Sequence, residues 1–173
     1  MNLLSVIEPR PGALLANRTG LEDARRVADV ADLYLCPGPG FRVVDFGCGD
    51  GRVAVHLQKY FDDLWMVDES MDMLNLAAEK VPQAKIACSN GTDGQLDGLG
   101  AHLICVIDVL DRYFAVAGGN LLAGLANVLD PRGLLAVNGS DGASIRRMAT
   151  RAGFRVLRAP SGDPRGLYVL ELR

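Results

Sequence analysis

From residue 41 onward, short apolar runs alternate with longer segments in which apolar residues return every three or four positions. Arg42-Val43-Val44-Asp45-Phe46 is a β-branched and aromatic run closed by Gly47, which predicts a buried strand. Residues 64–67 predict a second strand, closed by Asp68, and residues 84–88 a third. Residues 103–107, the most apolar run, predict a central strand buried on both faces. Residues 134–137, 154–158 and 166–172 complete the strands. Helical periodicity predicts helices over 51–60, 71–81, 116–129 and 143–151. Ser70 caps the second of these and Pro82 stops it, while Ala152-Gly153 closes the last. Asp130-Pro131-Arg132-Gly133 reads as a turn into the strand at Leu134.

Strands alternating with helices indicate a parallel sheet covered on both faces. The last two strands depart from this, because Ser161-Gly162-Asp163-Pro164 is a turn signal with no helix between them, which predicts an antiparallel hairpin. Ahead of the sheet, Leu21, Ala24, Val27, Ala28, Ala31 and Leu35 form one apolar stripe of a helix over 21–35, ended by Pro37-Gly38-Pro39-Gly40. The 173 residues are expected to make one domain, 1–173, with a helical lid segment over 1–40 and a core over 41–173.

A hydrophobic fraction of 49% and a charged fraction of 23% exclude disorder, collagen and coiled coil. The formal net charge of −3 speaks against nucleic acid as a partner. Fifteen of the 18 basic residues are Arg, seven of them within 146–173, which reads as a solvated helix face and a basic final strand. Cys36, Cys48, Cys88 and Cys105 make no C-x-x-C pair and, with two His, no ligand set at zinc spacing, so no metal is expected and the thiols are read as reduced. The first nine residues have no basic region and carry Glu8 and Pro9, unlike a secretory leader. The longest charge-free run, 113–129, is broken by Gly118-Gly119-Asn120 and is too short to span a bilayer. A cytoplasmic protein with no membrane partner is expected.

The chemistry concentrates after the first strand. Gly47-Cys48-Gly49-Asp50-Gly51 forms a glycine turn that lets backbone approach a ligand closely. Asp68 closes the second strand 19 residues beyond Gly49, where an acid can accept both ribose hydroxyls of a nucleoside. Sitting at a strand end, it is expected to contribute little to stability of the free protein. A dinucleotide fingerprint would need Gly where this chain has Arg52, and no Gly-Lys-Ser/Thr of a P-loop occurs.

On these residues the chain resembles the class I, Rossmann-like methyltransferases that use S-adenosylmethionine. Val43-Val44-Asp45-Phe46-Gly47-Cys48-Gly49-Asp50-Gly51 is similar to their first motif, and Met66-Val67-Asp68-Glu69-Ser70-Met71-Asp72-Met73-Leu74 to their ribose-binding strand and helix start. Ala101-His102-Leu103-Ile104-Cys105-Val106-Ile107-Asp108-Val109-Leu110 is similar to their fourth strand, Leu129-Asp130-Pro131-Arg132-Gly133-Leu134-Leu135 to their Leu-x-Pro-Gly-Gly turn, and Ala152-Gly153-Phe154 to their late Gly-Phe strand. The resemblance spans residues 20–173 in order. It implies a three-layer α/β fold with a seven-stranded, mostly parallel sheet of order 3-2-1-4-5-7-6, strand 7 antiparallel. It also implies S-adenosylmethionine as cofactor and S-adenosylhomocysteine as product. Phe46 would be among the cofactor-binding residues; Asp45, Gly47, Cys48 and Gly49 would hold the methionine part, Asp68 the ribose hydroxyls, and Glu69 would border the adenine. Asn90, Gly91 and Thr92 occupy the loop where the family usually has an Asp toward the adenine amino group. Val106 and Ile107 would touch the cofactor on the side of the acceptor.

Methyl transfer is a displacement at an already activated carbon, so proximity and alignment matter more than a base. Candidate catalytic residues at the exit of the fourth strand are Asp108, Asp111 and Tyr113, with Arg112 beside them. His102, at the other end of that strand, and His56, inside the first core helix, are read as structural. No Asn/Asp-Pro-Pro-aromatic sequence and no Pro-Cys follow the strand, which turns the reading toward O- or N-methylation of a small molecule. The pocket would be closed by residues 1–40 or by a second subunit of a homodimer, or left open for a larger acceptor. Two alternatives stand beside this reading: a cofactor-binding module without catalysis, and a nicotinamide-dependent oxidoreductase.

Overall fold

In the computed structural model, which describes residues 20–113, 118–162 and 166–173, the alternating runs form one seven-stranded sheet. Strands β1 (Arg42–Phe46), β2 (Asp63–Asp68), β3 (Lys85–Cys88), β4 (Ala101–Val106), β5 (Leu129–Val137), β6 (Phe154–Arg158) and β7 (Tyr168–Leu172) stand in the order β3-β2-β1-β4-β5-β7-β6. Neighbours run parallel except at β7, which is antiparallel to both β5 and β6. This is the order that the resemblance implied, with the final hairpin.

The two-residue period of each strand divides the core. Val43, Leu103 and Leu134 face one way, toward α1 (Gly20–Tyr34), α2 (Ala54–Leu57) and α3 (Met71–Lys80). Val44, Ile104 and Leu135 face the other way, toward α4 (Gly118–Val128) and α5 (Gly142–Arg151). Asp45 and Cys105, register partners on β1 and β4, therefore lie on the α1–α3 side. Helix α1 buries Ala24, Val27, Ala28 and Ala31 of its stripe, with Leu21 and Leu35 half-buried at the ends, and shares the cluster of Val43 and Leu103. Residues 1–19, which carry most of the expected lid segment, lie outside the described residues. Among the described residues no helix is long and apolar enough to cross a membrane.

Two elements differ from expectation. The helix predicted over 51–60 reduces to α2, four residues long, because the backbone on either side closes tighter turns: Gly51 N–H donates to Cys48 O, and Tyr60 N–H to Leu57 O. The Asp130–Gly133 turn does not precede β5 but interrupts it. Leu129 pairs with Ala101, then the register jumps and Leu134 pairs with Leu103, so the four residues bulge out of the ladder. The predicted helix over 116–129 corresponds to α4, and residues 114–117 lie outside the described ones.

Helix α4 packs against the loop after β3 at Gly124, where a Cβ would stand 1.9 Å from the carbonyl oxygen of Gly91. Gly124→Ala is therefore expected to destabilise the fold by about 1–3 kcal/mol through overpacking, overriding the ~1 kcal/mol that Ala gains over Gly inside a helix. Urea denaturation measures this, and an unchanged or raised midpoint would show that α4 does not rest on that loop.

Candidate functional site

The turn after β1 is anchored before it is shaped. Gly47 N–H and Cys48 N–H both donate to Val67 O, at 2.7 and 3.1 Å, tying the turn to the end of β2. Gly47 has φ +72°, and a Cβ there would lie 2.4 Å from Val109 Cγ2, so the turn and the segment after β4 touch at a point that only glycine allows. Gly49 also has positive φ, +54°, but a Cβ there would meet no atom within 4 Å. That combination leaves open space against left-handed backbone.

Asp68 faces this turn. Its Oδ2 accepts from Gly49 N–H and its Oδ1 from Ser70 N–H, both at 2.9 Å. Ser70 in turn accepts from Met73 N–H at 3.3 Å and caps α3. The acid at the strand end thus fastens the glycine turn and the start of α3 together, contrary to the expectation that it adds little to stability. Removing it leaves two amide donors to be re-satisfied, at about 1–3 kcal/mol.

Phe46, Gly47, Asp68, Glu69 and Asn90, all named from sequence as cofactor residues, line one cleft with Ser89, Val109, Arg112 and Tyr113. Ser89 and Val109 carried no sequence signal: Ser89 is buried just past β3, and Val109 matters because it covers Gly47. Other expected residues lie elsewhere. Gly91 is packed beneath Phe46 and Leu121, Thr92 donates to Asn90 Oδ1, and Val106 and Ile107 are buried in the two core clusters. The loop after β3 is folded around Asp93, whose carboxylate accepts from Ser89 Oγ, Asn90 N–H and Gln95 N–H. The Ser89 hydroxyl, with these amides, holds its carboxyl below the usual range.

Beneath the turn lies Asp45, 2% exposed. Cys105 Sγ approaches Asp45 Oδ1 at 3.6 Å, and Oδ2 has no hydrogen-bond partner among the described residues. Burial pushes its carboxyl up to about 7, against the opposing pull of the Cys105 thiol and of Arg52. Burial, reinforced by Asp45, pushes the Cys48 and Cys105 thiols up as well, so both stay protonated.

The residues after β4 are held by partners distant in sequence. Asp108 Oδ2 accepts from Arg52 Nη2 at 3.1 Å and its Oδ1 from Asn138 Nδ2 at 3.0 Å, while Arg52 Nη1 reaches Asp23 of α1 at 2.9 Å. Asp111 accepts from Ser140 N–H at 2.8 Å. Tyr113 is half-buried, lines the cleft with Asp68 and Glu69, and burial followed by the charge of Glu69 raises its phenol. His102 accepts from Arg42 N–H through Nδ1 and stacks on Phe41, a structural role. His56 is half-buried in α2, and its Nδ1 has no partner among the described residues.

A family model described as a methyltransferase domain matches residues 43–133. No curated protein matches the chain. Among solved structures, a sugar N-methyltransferase from Streptoalloteichus has a TM-score of 0.75 at 16% identity, covering 100% of this chain and 97% of that one. An amino pentose methyltransferase from Micromonospora echinaspora, bound to S-adenosylmethionine, has a TM-score of 0.75 at 14% identity, covering 89% and 92%. Magnesium protoporphyrin IX methyltransferase from Synechocystis, with the same bound molecule, has a TM-score of 0.69 at 23% identity, covering 94% and 84%.

Since Asp45 has a higher pKa folded than unfolded, the fold favours its neutral form. That contribution is full below 3.8 and is lost as pH rises through about 7. Asp45→Asn is therefore expected to gain stability relative to the unmodified chain across this window and to level off above it. Chemical denaturation at a series of pH values measures the difference; a gap that does not change with pH would mean that Asp45 is ionised throughout.

Proposed function

The chain belongs to the methyltransferase-domain family, and from that premise we propose that it transfers the methyl group of S-adenosylmethionine to an oxygen or nitrogen atom of a small-molecule acceptor. One observation carries the cofactor assignment: Gly49, left-handed and open where a side chain would be, lies directly across from Asp68. A cradle that any Cβ would fill, walled by an acid at ribose position, fits a nucleoside with a polar tail.

When bound, S-adenosylmethionine supplies a methyl carbon already activated by a sulfonium. The chain's part is then to hold and to align. Asp45, Gly47, Cys48 and Gly49 would border the methionine end, and the unpartnered Asp45 Oδ2 supports a polar or cationic group nearby. Asp68 can keep both of its amide donors and still accept from ribose hydroxyls, because an ionised carboxylate has about four acceptor sites. Glu69 and Asn90 would flank the adenine. Asp108 is engaged by Arg52 and Asn138 and Asp111 by Ser140, so of the three catalytic candidates Tyr113 is the one that lines the cleft. Its raised pKa suits it to donate a hydrogen bond rather than to accept a proton. This agrees with a reaction driven by proximity, worth up to ~7–11 kcal/mol. The same lack of a ready base supports the second reading, a cofactor-binding module without turnover.

The acceptors to test first are amino sugars, since the Streptoalloteichus and Micromonospora neighbours act on such compounds. Nucleic acid and membrane are not proposed as partners, and a cytoplasmic setting and a homodimer that closes the pocket belong to the same reading.

A thermal shift with S-adenosylmethionine and S-adenosylhomocysteine, but none with NAD(H), is the expected result; a shift with NAD(H) alone would overturn the assignment. Gly49→Val should abolish binding in a folded protein. Asp68→Ala should weaken it by about 1.5–3 kcal/mol in calorimetry, the range for hydrogen bonds to a charged group. Binding without transfer to any acceptor would favour the second reading.

A further inference from the structure

Asn138 directly follows β5, on the far side of β4 from the glycine turn, and is 1% exposed. A buried amide must find partners for its oxygen and its nitrogen, and both ends of this one engage the same residue. Asn138 Oδ1 accepts from the backbone N–H of Asp108 at 2.6 Å, and Asn138 Nδ2 donates to Asp108 Oδ1 at 3.0 Å. Its own backbone N–H donates to Val106 O at 3.3 Å, which fixes the amide relative to the end of β4.

The residue so gripped has φ +59°. A non-glycine residue in the left-handed region is strained and persists only where its surroundings impose it, although Asp tolerates this better than most. The direction of the chain after β4 depends on that one dihedral. Beyond it, Val109 is brought against Gly47, and the 3₁₀ turn Leu110–Arg112 hands Tyr113 to the cleft wall.

We infer that Asn138 is a positioning residue of the cofactor site: its side chain clamps Asp108 in the left-handed conformation and thereby sets the turn that delivers Val109, Arg112 and Tyr113 to the cleft. The inference rests on the cofactor reading above. Asn138 touches no reacting atom; it acts through Asp108.

The test is rescue. Asn138→Ala, checked for folding by its thermal transition, should bind S-adenosylhomocysteine roughly tenfold more weakly in calorimetry, because the competent turn becomes a minor population. Hydrogen exchange at the Asp108 amide should accelerate in the same variant without added ligand. Adding Asp108→Gly, which reaches positive φ without a clamp, should raise the affinity above that of Asn138→Ala to the level of Asp108→Gly alone, which carries the cost of the lost Arg52 pair. Affinity unchanged in Asn138→Ala, or lost and not raised in the double variant, would overturn the inference. If Asn138→Ala does not fold, Asp108→Asn and Asp108→Ala read the same geometry from the other partner. The amide keeps an acceptor for Asn138 and a tolerance for left-handed backbone, so it should bind about tenfold more tightly than the alanine; equal binding by the two would overturn the inference. An unmodified chain that does not bind S-adenosylhomocysteine overturns the cofactor reading and this inference together, whereas binding retained by every variant overturns this inference alone.

Discussion

One guanidinium joins the parts of this molecule that the sheet does not join. Arg52 follows the glycine turn and reaches Asp23 on α1 and Asp108 beyond β4, while its charge also bears on buried Asp45. Asp23 is 2% exposed and sits in a low-dielectric position, where an acid must be paired. The N-terminal helix, the cofactor turn and the exit of the central strand therefore share one electrostatic anchor. This gives a reason for Arg at a place where a dinucleotide-binding turn would carry glycine: the side chain bridges Asp23 and Asp108, which a glycine could not pair.

The strands were legible because each face of a covered sheet must be apolar, and besides Arg42 at the start of β1 the runs at β1 and β4 carry only Asp45 and His102 as polar residues; the strand order came from the family resemblance. The turns were less legible. Helical spacing over 51–60 counted Val53, Val55, Leu57 and Tyr60 without the tight turns at either end, and Asp130-Pro131-Arg132-Gly133 read as a turn into the strand when it is a bulge inside one. Gly47, Gly49 and Asp68, singled out from the sequence, do come together, through Gly47 N–H to Val67 O and Gly49 N–H to Asp68. Asp108 was read as a catalytic candidate because it stands at the exit of the fourth strand; its two side-chain partners lie 56 and 30 residues away, and nothing near it in sequence announces them.

The site also illustrates how a reaction needing alignment leaves few chemical marks. Its polar groups are engaged mainly with backbone amides: Asp68 with Gly49 and Ser70, Asp93 with Asn90 and Gln95, Asp111 with Ser140. These bonds fix loops rather than activate nucleophiles, and rigid loops are what a proximity mechanism requires.

The place of β7 has a consequence for the order in which the chain can fold. As the polypeptide is made, β6 emerges before β7, yet in the finished sheet β7 lies between β5 and β6 and is the only strand β6 pairs with. Until β7 arrives, β5 presents an open edge and β6 has no ladder to join, both of which invite pairing with other chains. The segment that carries β6 and the helix before it is rich in Arg, with Arg146, Arg147, Arg151, Arg155 and Arg158 all exposed. Arg155 and Arg158 put like charges on the waiting strand, which disfavours its pairing with copies of itself before the sheet closes.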